Sequence, residues 1–417
     1  MRMRKILSSV LAMVLLASCV LLAIVPASAS PAGTSEEYKE LFEGDNELTK
    51  DELVDAILSH MLEEGALQID ELRDAAHVYV YWNVGGVGMP KEITDSADRT
   101  VTIYKPIKRI ILPNGDCMPL MRALRATDKI VGVSKYTIED TLFYPEFGDY
   151  SNIGSLWSPN YEVMVGCEPD AVILYAAFGK SNCEAIENTL SDANPDITFI
   201  WIDGYKPSSQ VEEARILGYL LDKEEEAEEW IDFYEGFLNP IYDEVAEIPE
   251  ENRTKVYIEC WRAYHTAAGN SGWHEKIELV GGYNIFREET VDYPDVGAEA
   301  VIKGEPEVII RAAKTEGGYD TNDITELSNL RDEIMGRKEL AIVPAVNATN
   351  ESVYVINNDI FGGTGHFVGM GYVAKWLYPD LFSNLDPKAA HRRYLTEFQG
   401  LSDSLVDNGV FVYPEPS

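Results

Sequence analysis

Basic side chains, histidine and cysteine are all scarce in this 417-residue chain. Only 34 lysines and arginines stand against 71 aspartates and glutamates, for a formal charge of -37. A field of that sign repels nucleic acid and anionic lipid headgroups while keeping the chain soluble, so nucleic-acid binding is a poor reading of its function. The five cysteines include no close pair and no metal-type spacing. Buried thiols are the expected state of Cys117, Cys167, Cys183 and Cys260, with one disulfide left open. The six histidines stand at 60, 77, 265, 274, 366 and 391, so residues 91–214 hold none. That distribution argues against a naked zinc or manganese site, which needs several converging imidazole or carboxylate ligands. Also missing are a Gly-x-Ser-x-Gly elbow, a His-Glu-x-x-His pair and a P-loop.

What is present is enough apolar residue, 46%, to bury a large core in two or three domains. Residues 1–29 read as an export signal or an N-terminal anchor. Arg2, Arg4 and Lys5 precede an apolar run over 6–25, and Ala27-Ser28-Ala29 offers a small-residue cleavage site. The run is long enough to span a bilayer, and Leu16-Ala17-Ser18-Cys19 has the form of a lipobox, so cleavage, lipidation and anchoring stay open. An extracytoplasmic, secreted or cell-surface location follows from all three. Sequons at Asn252, Asn347 and Asn350 fit it.

Residues 30–90 read as a small helical module. Thr49 and Glu52 form a capping-box pattern ahead of Leu53, Ala56, Ile57 and Met61, and a second amphipathic stretch follows through Ile69, Leu72, Ala75 and Ala76. Residues 43–52 echo the later half of an EF-hand loop, with Leu41 where the first aspartate should stand, so a solvated acidic helix start competes with calcium there. Gly85, Gly86, Gly88 and Pro90 mark a linker.

From residue 91 the pattern becomes strand alternating with helix, which predicts an α/β fold with mostly parallel, helix-covered sheets. A first round occupies 91–214, an almost uninterrupted helix is expected over 215–248, and a second round fills 249–417. The two rounds repeat one element. Glu162-Val163-Met164-Val165-Gly166-Cys167-Glu168-Pro169-Asp170-Ala171-Val172-Ile173 matches Glu299-Ala300-Val301-Ile302-Lys303-Gly304-Glu305-Pro306-Glu307-Val308-Ile309-Ile310 in spacing and character. Each copy reads as a helix opening on an exposed glutamate, stopped at Glu-Pro, and feeding a buried strand. Two Rossmann-like three-layer lobes joined by a single long helix, with a cleft between them, are the architecture this repeat implies.

The chain here resembles the periplasmic binding proteins of ABC importers for iron-siderophores, haem and cobalamin. The resemblance runs over 92–413, through Ile93-Thr94-Asp95-Ser96, Lys108-Arg109-Ile110-Ile111, the element at 162–173, Glu278-Leu279-Val280-Gly281-Gly282-Tyr283-Asn284-Ile285-Phe286, and Ala374-Lys375-Trp376-Leu377-Tyr378-Pro379-Asp380-Leu381-Phe382. Asp98-Arg99 departs from the usual glycine of the first hairpin. The resemblance implies a monomeric, non-enzymatic solute-binding protein that captures a metal chelate, needs no cofactor, and delivers its cargo to permease subunits.

It further implies that Glu162 and Glu299 dock on permease arginines, one from each lobe. Ligand would lie at loops leaving the C-terminal ends of the strands. Those loops carry Asn114, Tyr136, Trp157, Tyr175 and Trp201, then Trp261, Tyr264, Tyr293 and Arg311. Aromatic walls suit large flat chelates, and arginine suits their carboxylates or phosphates. His265, His274 and His366 are candidate axial ligands to iron or cobalt. The Phe361-Gly362-Gly363-Thr364-Gly365-His366 stretch reads as a flexible loop able to close on ligand. A secreted hydrolase acting on carbohydrate is a competing reading, since acidic and aromatic residues also line such clefts. A cell-surface receptor or sensor using the same fold is another.

Overall fold

The computed structural model describes residues 48–62, 67–77, 79–80, 91–103, 105–347 and 351–416. The export segment at 1–29, residues 43–47 of the EF-hand-like stretch and the linker glycines lie outside the described residues. Among those described, no helix is long and apolar enough to cross a membrane.

The module begins with α1 (Lys50–Met61), followed by α2 (Ile69–His77) packed beside it. The capping box is formed: Glu52 N donates to Thr49 Oγ1 at 3.3 Å, and Thr49 N donates to the Glu52 carboxylate at 2.6 Å. The glutamate that would close a calcium loop therefore serves the helix end. Leu53, Ile57, Leu72, Ala75 and Ala76 are buried, as the 3.6-residue period requires.

Among the described residues, those from Leu48 to Pro113, with 129–132 and 153–201, form one compact unit; 114–128, 133–152 and those from Ile202 onward form the second. The first unit opens on an antiparallel hairpin, β1 (Lys91–Thr94) and β2 (Thr100–Ile103). Its turn takes Asp98 through a positive φ of 58°, the conformation glycine usually supplies. Strands β3 (Ile110–Leu112) and β4 (Ile130–Val133) are followed by helix α3 (Tyr161–Gly166), strand β5 (Ala171–Leu174), helix α4 (Lys180–Ala193) and strand β6 (Thr198–Trp201). Four neighbouring strands of this five-stranded sheet run in the order β4-β3-β5-β6, with β3–β5 and β5–β6 parallel; the two-residue strand Ser151–Asn152 lies beside β4. All of β3 and β5 is buried, as expected of a parallel strand covered on both faces.

The second unit carries α5 (Pro207–Leu221) and α6 (Glu224–Ala246) where one helix was expected over 215–248. The break has a local cause: Asp222 sits at φ 57°, a left-handed conformation that ends α5 and that aspartate tolerates better than most residues. Gly218 lets the helices meet there, since a β-carbon on it would stand 2.6 Å from the Ala227 side chain. Then come β7 (Thr254–Cys260), α7 (Gly272–Leu279), β8 (Gly282–Asn284), α8 (Ala298–Gly304), β9 (Val308–Ala313), α9 (Thr325–Met335), β10 (Val353–Asn357), α10 (His366–Leu377) and β11 (Val412–Tyr413). The sheet order is β8-β7-β9-β10-β11, parallel except at the β11 edge.

The repeated element is matched down to its backbone. Glu162 and Glu299 are exposed in the first turns of α3 and α8. Each helix gives way to a glutamate at positive φ, Glu168 at 46° and Glu305 at 49°, directly before proline. The next residue, Asp170 or Glu307, then ties down the neighbouring strand. Asp170 accepts from the amides of Lys108 and Arg109, each at 3.0 Å, and Glu307 accepts from that of Lys255 at 3.0 Å. Their own amides donate to the carbonyls of Arg109 and Lys255, at 2.8 and 2.9 Å.

Asp170→Ala should therefore destabilise the protein by about 0.5–1.5 kcal/mol, and by more than Glu307→Ala, because it removes two amide hydrogen bonds and an ion pair with Lys105 where Glu307→Ala removes one hydrogen bond. Urea unfolding of both variants checks the order; equal or reversed costs would contradict this account of the two corners.

Candidate ligand-binding site

In the second unit, the chain leaves β7 through a loop in which Trp261 and Tyr264 hold φ values of 61° and 57°. Such values are uncommon for non-glycine residues and cost free energy that surrounding contacts must offset. Here the offset comes from backbone ties. Cys260 N donates to His265 O at 2.7 Å, Thr266 N to Pro294 O at 3.1 Å, and Val296 N to Tyr264 O at 2.8 Å. These bonds lay residues 292–296 along the loop.

The result is a cluster of rings. Trp261 lies 5.2 Å from Tyr293 at an interplanar angle of 39° and 5.6 Å from His265, and it meets Trp273 edge-on at 5.7 Å. Trp261, His265 and Tyr293 are half-buried, while Trp273 is buried and packs edge-on against Phe361 at 5.3 Å. Three partly exposed rings on a packed aromatic floor can stack on a flat ligand.

Lys276 lies in the same packing. Its side chain is fully buried, Nζ donates to Phe361 O at 2.7 Å, and the rings of Phe361, Trp273 and Tyr205 stand 5.4, 5.7 and 6.0 Å away. Burial pulls its amine down to about 7 against the opposing pull of Asp116. Trp261, Tyr293 and His265 were candidates from the sequence; Trp273 and Lys276, which pack with them, were not, because they do not lie on loops that follow strands. Both lie on α7, whose Ser271 cap accepts from His274 N at 3.2 Å and was the available signal.

Two of the expected ligand residues, Asn114 and Arg311, are held in the framework. Asn114 is fully buried; its side-chain amide donates to Ile202 O at 2.6 Å and its oxygen accepts from Asp116 N. Arg311 lies inside β9 and not on the loop after it, and its Nη1 donates to buried Glu259 at 2.9 Å. Tyr136 is 55% exposed with Lys135 over its ring. Tyr264 half-emerges and donates from its hydroxyl to Glu339 at 2.7 Å.

In the first unit, Trp157 is 60% exposed, and it and Tyr175 both pack edge-on against Phe178, at 5.7 and 5.5 Å. Trp201 is apart from them and buried: its indole N–H donates to Glu187 at 2.5 Å, and the Arg99 guanidinium lies 4.7 Å over its ring. Arg99 also grips Asp95, whose carboxylate accepts from Trp201 N at 3.1 Å, so the unusual hairpin residues fasten β1 and β2 to β6.

The histidines differ. His265 stays on the ring cluster with Nδ1 3.1 Å from Asp295. His274 has Nδ1 3.2 Å from Asn284 Nδ2, and burial holds its pKa down. His366 is fully buried with Nε2 at 2.7 Å from Tyr234 OH and Nδ1 at 2.7 Å from Gly363 O, so an axial bond to a metal would require breaking one of these. The stretch 361–366, expected as a flexible loop, is instead fastened. Buried Thr364 donates to Asp116 O at 2.9 Å, and Phe361, Gly365 and His366 are buried too. Gly362 serves close packing there: a β-carbon on it would stand 2.7 Å from the Asn358 side chain.

Residues 115–359, more than half of the chain, match the family model described as periplasmic binding protein. The chain is 24% identical over 299 residues to the ABC transporter substrate-binding lipoprotein YvrC of Bacillus subtilis, covering 70% of this chain and 87% of that one. A vitamin B12-binding protein of Salmonella choleraesuis is 25% identical over 185 residues, 44% of this chain and 65% of that protein. Among solved structures, the TroA-like periplasmic binding protein FepB of Veillonella parvula has a TM-score of 0.65 at 23% identity, covering 78% of this chain and 99% of that one. At that level of identity the likeness is one of fold, and it matches the α/β architecture described above.

Lys276 sets a pH dependence of stability. Its amine titrates at about 7 when folded and near 10.4 when unfolded. Between those values the unfolded chain holds the proton and the folded chain does not, so stability from this group rises by about 1.4 kcal/mol per pH unit across the window; below it the full penalty applies. Lys276→Met should unfold at higher urea than the parent at pH 6, with the gap closing towards pH 10. A gap that does not change with pH would contradict the burial of a titrating amine.

Proposed function

Because the chain belongs to the periplasmic binding protein family, we propose that it captures a metal chelate, a ferric siderophore, haem or corrinoid, and hands it to the permease of an ABC importer. Proteins of this family are substrate-binding components of ABC transporters, not enzymes, and work outside the cytoplasm. The hydrolase reading falls with that assignment.

The observation that carries the proposal is the ring cluster of Trp261, His265 and Tyr293 on the second unit. Its rings are partly exposed and their loop is held in an otherwise unfavourable conformation, as a preformed binding surface demands. Trp157 and Tyr175 supply a further aromatic group on the first unit. The relatives named for vitamin B12 support a bulky chelate as cargo.

Glu162 and Glu299 are proposed to dock on permease arginines. Each is exposed at a helix start, where the helix dipole favours the charged carboxylate and a guanidinium can approach it. Their matching places in the repeat fit a two-point contact. The double variant Glu162→Arg with Glu299→Arg should abolish uptake in cells while leaving chelate affinity within about twofold, because solvent-exposed charges add little to binding. Intact uptake, or affinity lost with it, would refute the docking role.

A further inference from the structure

We infer that Arg337, acting through Glu259, is the residue that positions the aromatic recognition loop; the inference rests on the binding role proposed for that loop. Glu259 is fully buried next to the end of β7, just before Cys260 and Trp261. Its carboxylate accepts from Tyr257 Oη at 3.1 Å, Arg311 Nη1 at 2.9 Å, Arg337 Nη1 and Nη2 at 2.7 and 2.9 Å, and the backbone amide of Tyr264 at 2.7 Å. The last of these holds the loop directly, at one of its two positive-φ residues.

Arg337 reaches Glu259 from outside the sheet, from just beyond the end of α9. It donates both terminal nitrogens to the carboxylate, and its guanidinium carbon stands 4.8 Å over the Tyr264 ring. One planar cation thus fixes the carboxylate that grips the Tyr264 amide and also covers that residue's side chain. A fork of this kind has a single orientation, which lysine cannot reproduce. The arrangement sets the loop before any ligand arrives, and a preset loop loses less entropy on binding.

Arg311 alone could neutralise Glu259. The second arginine therefore adds orientation to charge balance, and its removal leaves no buried charge unpaired. Arg337→Gln is thus a variant expected to fold, unlike Glu259→Gln, which would strand two buried guanidinia.

The test is amide hydrogen exchange on the full-length chain without ligand, comparing the parent, Arg337→Gln, Arg337→Lys and Glu333→Gln. Glu333 pairs with Arg337 at 3.0 Å from the exposed side and serves as control. In Arg337→Gln, the amides of Tyr264, Thr266 and Val296 should exchange about tenfold faster, roughly the worth of one charge-assisted hydrogen bond. Amides in the β9 ladder should keep their rates. Arg337→Lys should restore protection only in part, and Glu333→Gln should match the parent. Unchanged loop rates in Arg337→Gln would overturn the inference, and so would loop and ladder loosening by the same factor, the mark of a merely structural residue. Since no ligand is used, either result stands apart from whether the loop binds a chelate.

Discussion

Carboxylates gripping backbone amides, several of them buried, are the interaction on which the rest of this structure depends. Parallel strands end in amides that no neighbouring strand satisfies, and burial makes each orphan costly. Nearer the surface, half-buried Asp170 and exposed Glu307 take up strand-end amides at the repeated corners. Asp95 holds Trp201 N, and Glu213 accepts from the amides of Asp203 and Gly204 at 2.7 and 2.8 Å. Glu259 holds Tyr264 N. An ionised carboxylate makes a stronger acceptor than a carbonyl, so a few acids fix the directions in which loops leave the sheets. Part of the large acidic excess is therefore internal architecture and not only solvated surface.

This constraint decides which aromatic residues are free to recognise a ligand. Trp201 and Trp261 look alike in sequence, each at the end of a strand. Trp201 is taken up by Glu187 and Arg99 and disappears into the first unit. Trp261 follows a strand whose acid spends its acceptors on Tyr264 and two arginines, and its ring remains part-exposed beside Tyr293. The difference lies in tertiary partners from distant segments, which residue identity at one position does not reveal.

The same reasoning explains what could be read beforehand. Alternating strand and helix, the capping box at Thr49 and the duplicated Glu-Pro element depend on local pattern, and the structure shows all three. The break at Asp222 was hidden because its left-handed conformation leaves no mark on helical periodicity. Arg311 was misjudged because β9 runs to Ala313, so a residue assigned to a loop is a strand residue facing Glu259. Lys276 was overlooked because a lysine on a short helix ordinarily points to solvent. Here the rings of Tyr205, Trp273 and Phe361 enclose it.

Membership of the binding-protein family gives the class of work, and the ring cluster gives the place where cargo recognition is proposed. The most direct test is a titration of purified protein with haemin, cyanocobalamin and a ferric catecholate siderophore, following chelate absorbance and tryptophan fluorescence together. The account predicts that one of them saturates at a single equivalent with quenching, and that Trp261→Ala with Tyr293→Ala weakens it by about tenfold or more, as loss of central aromatic contacts does. Binding that ignores the double substitution, or a folded protein that takes none of the three, would contradict it.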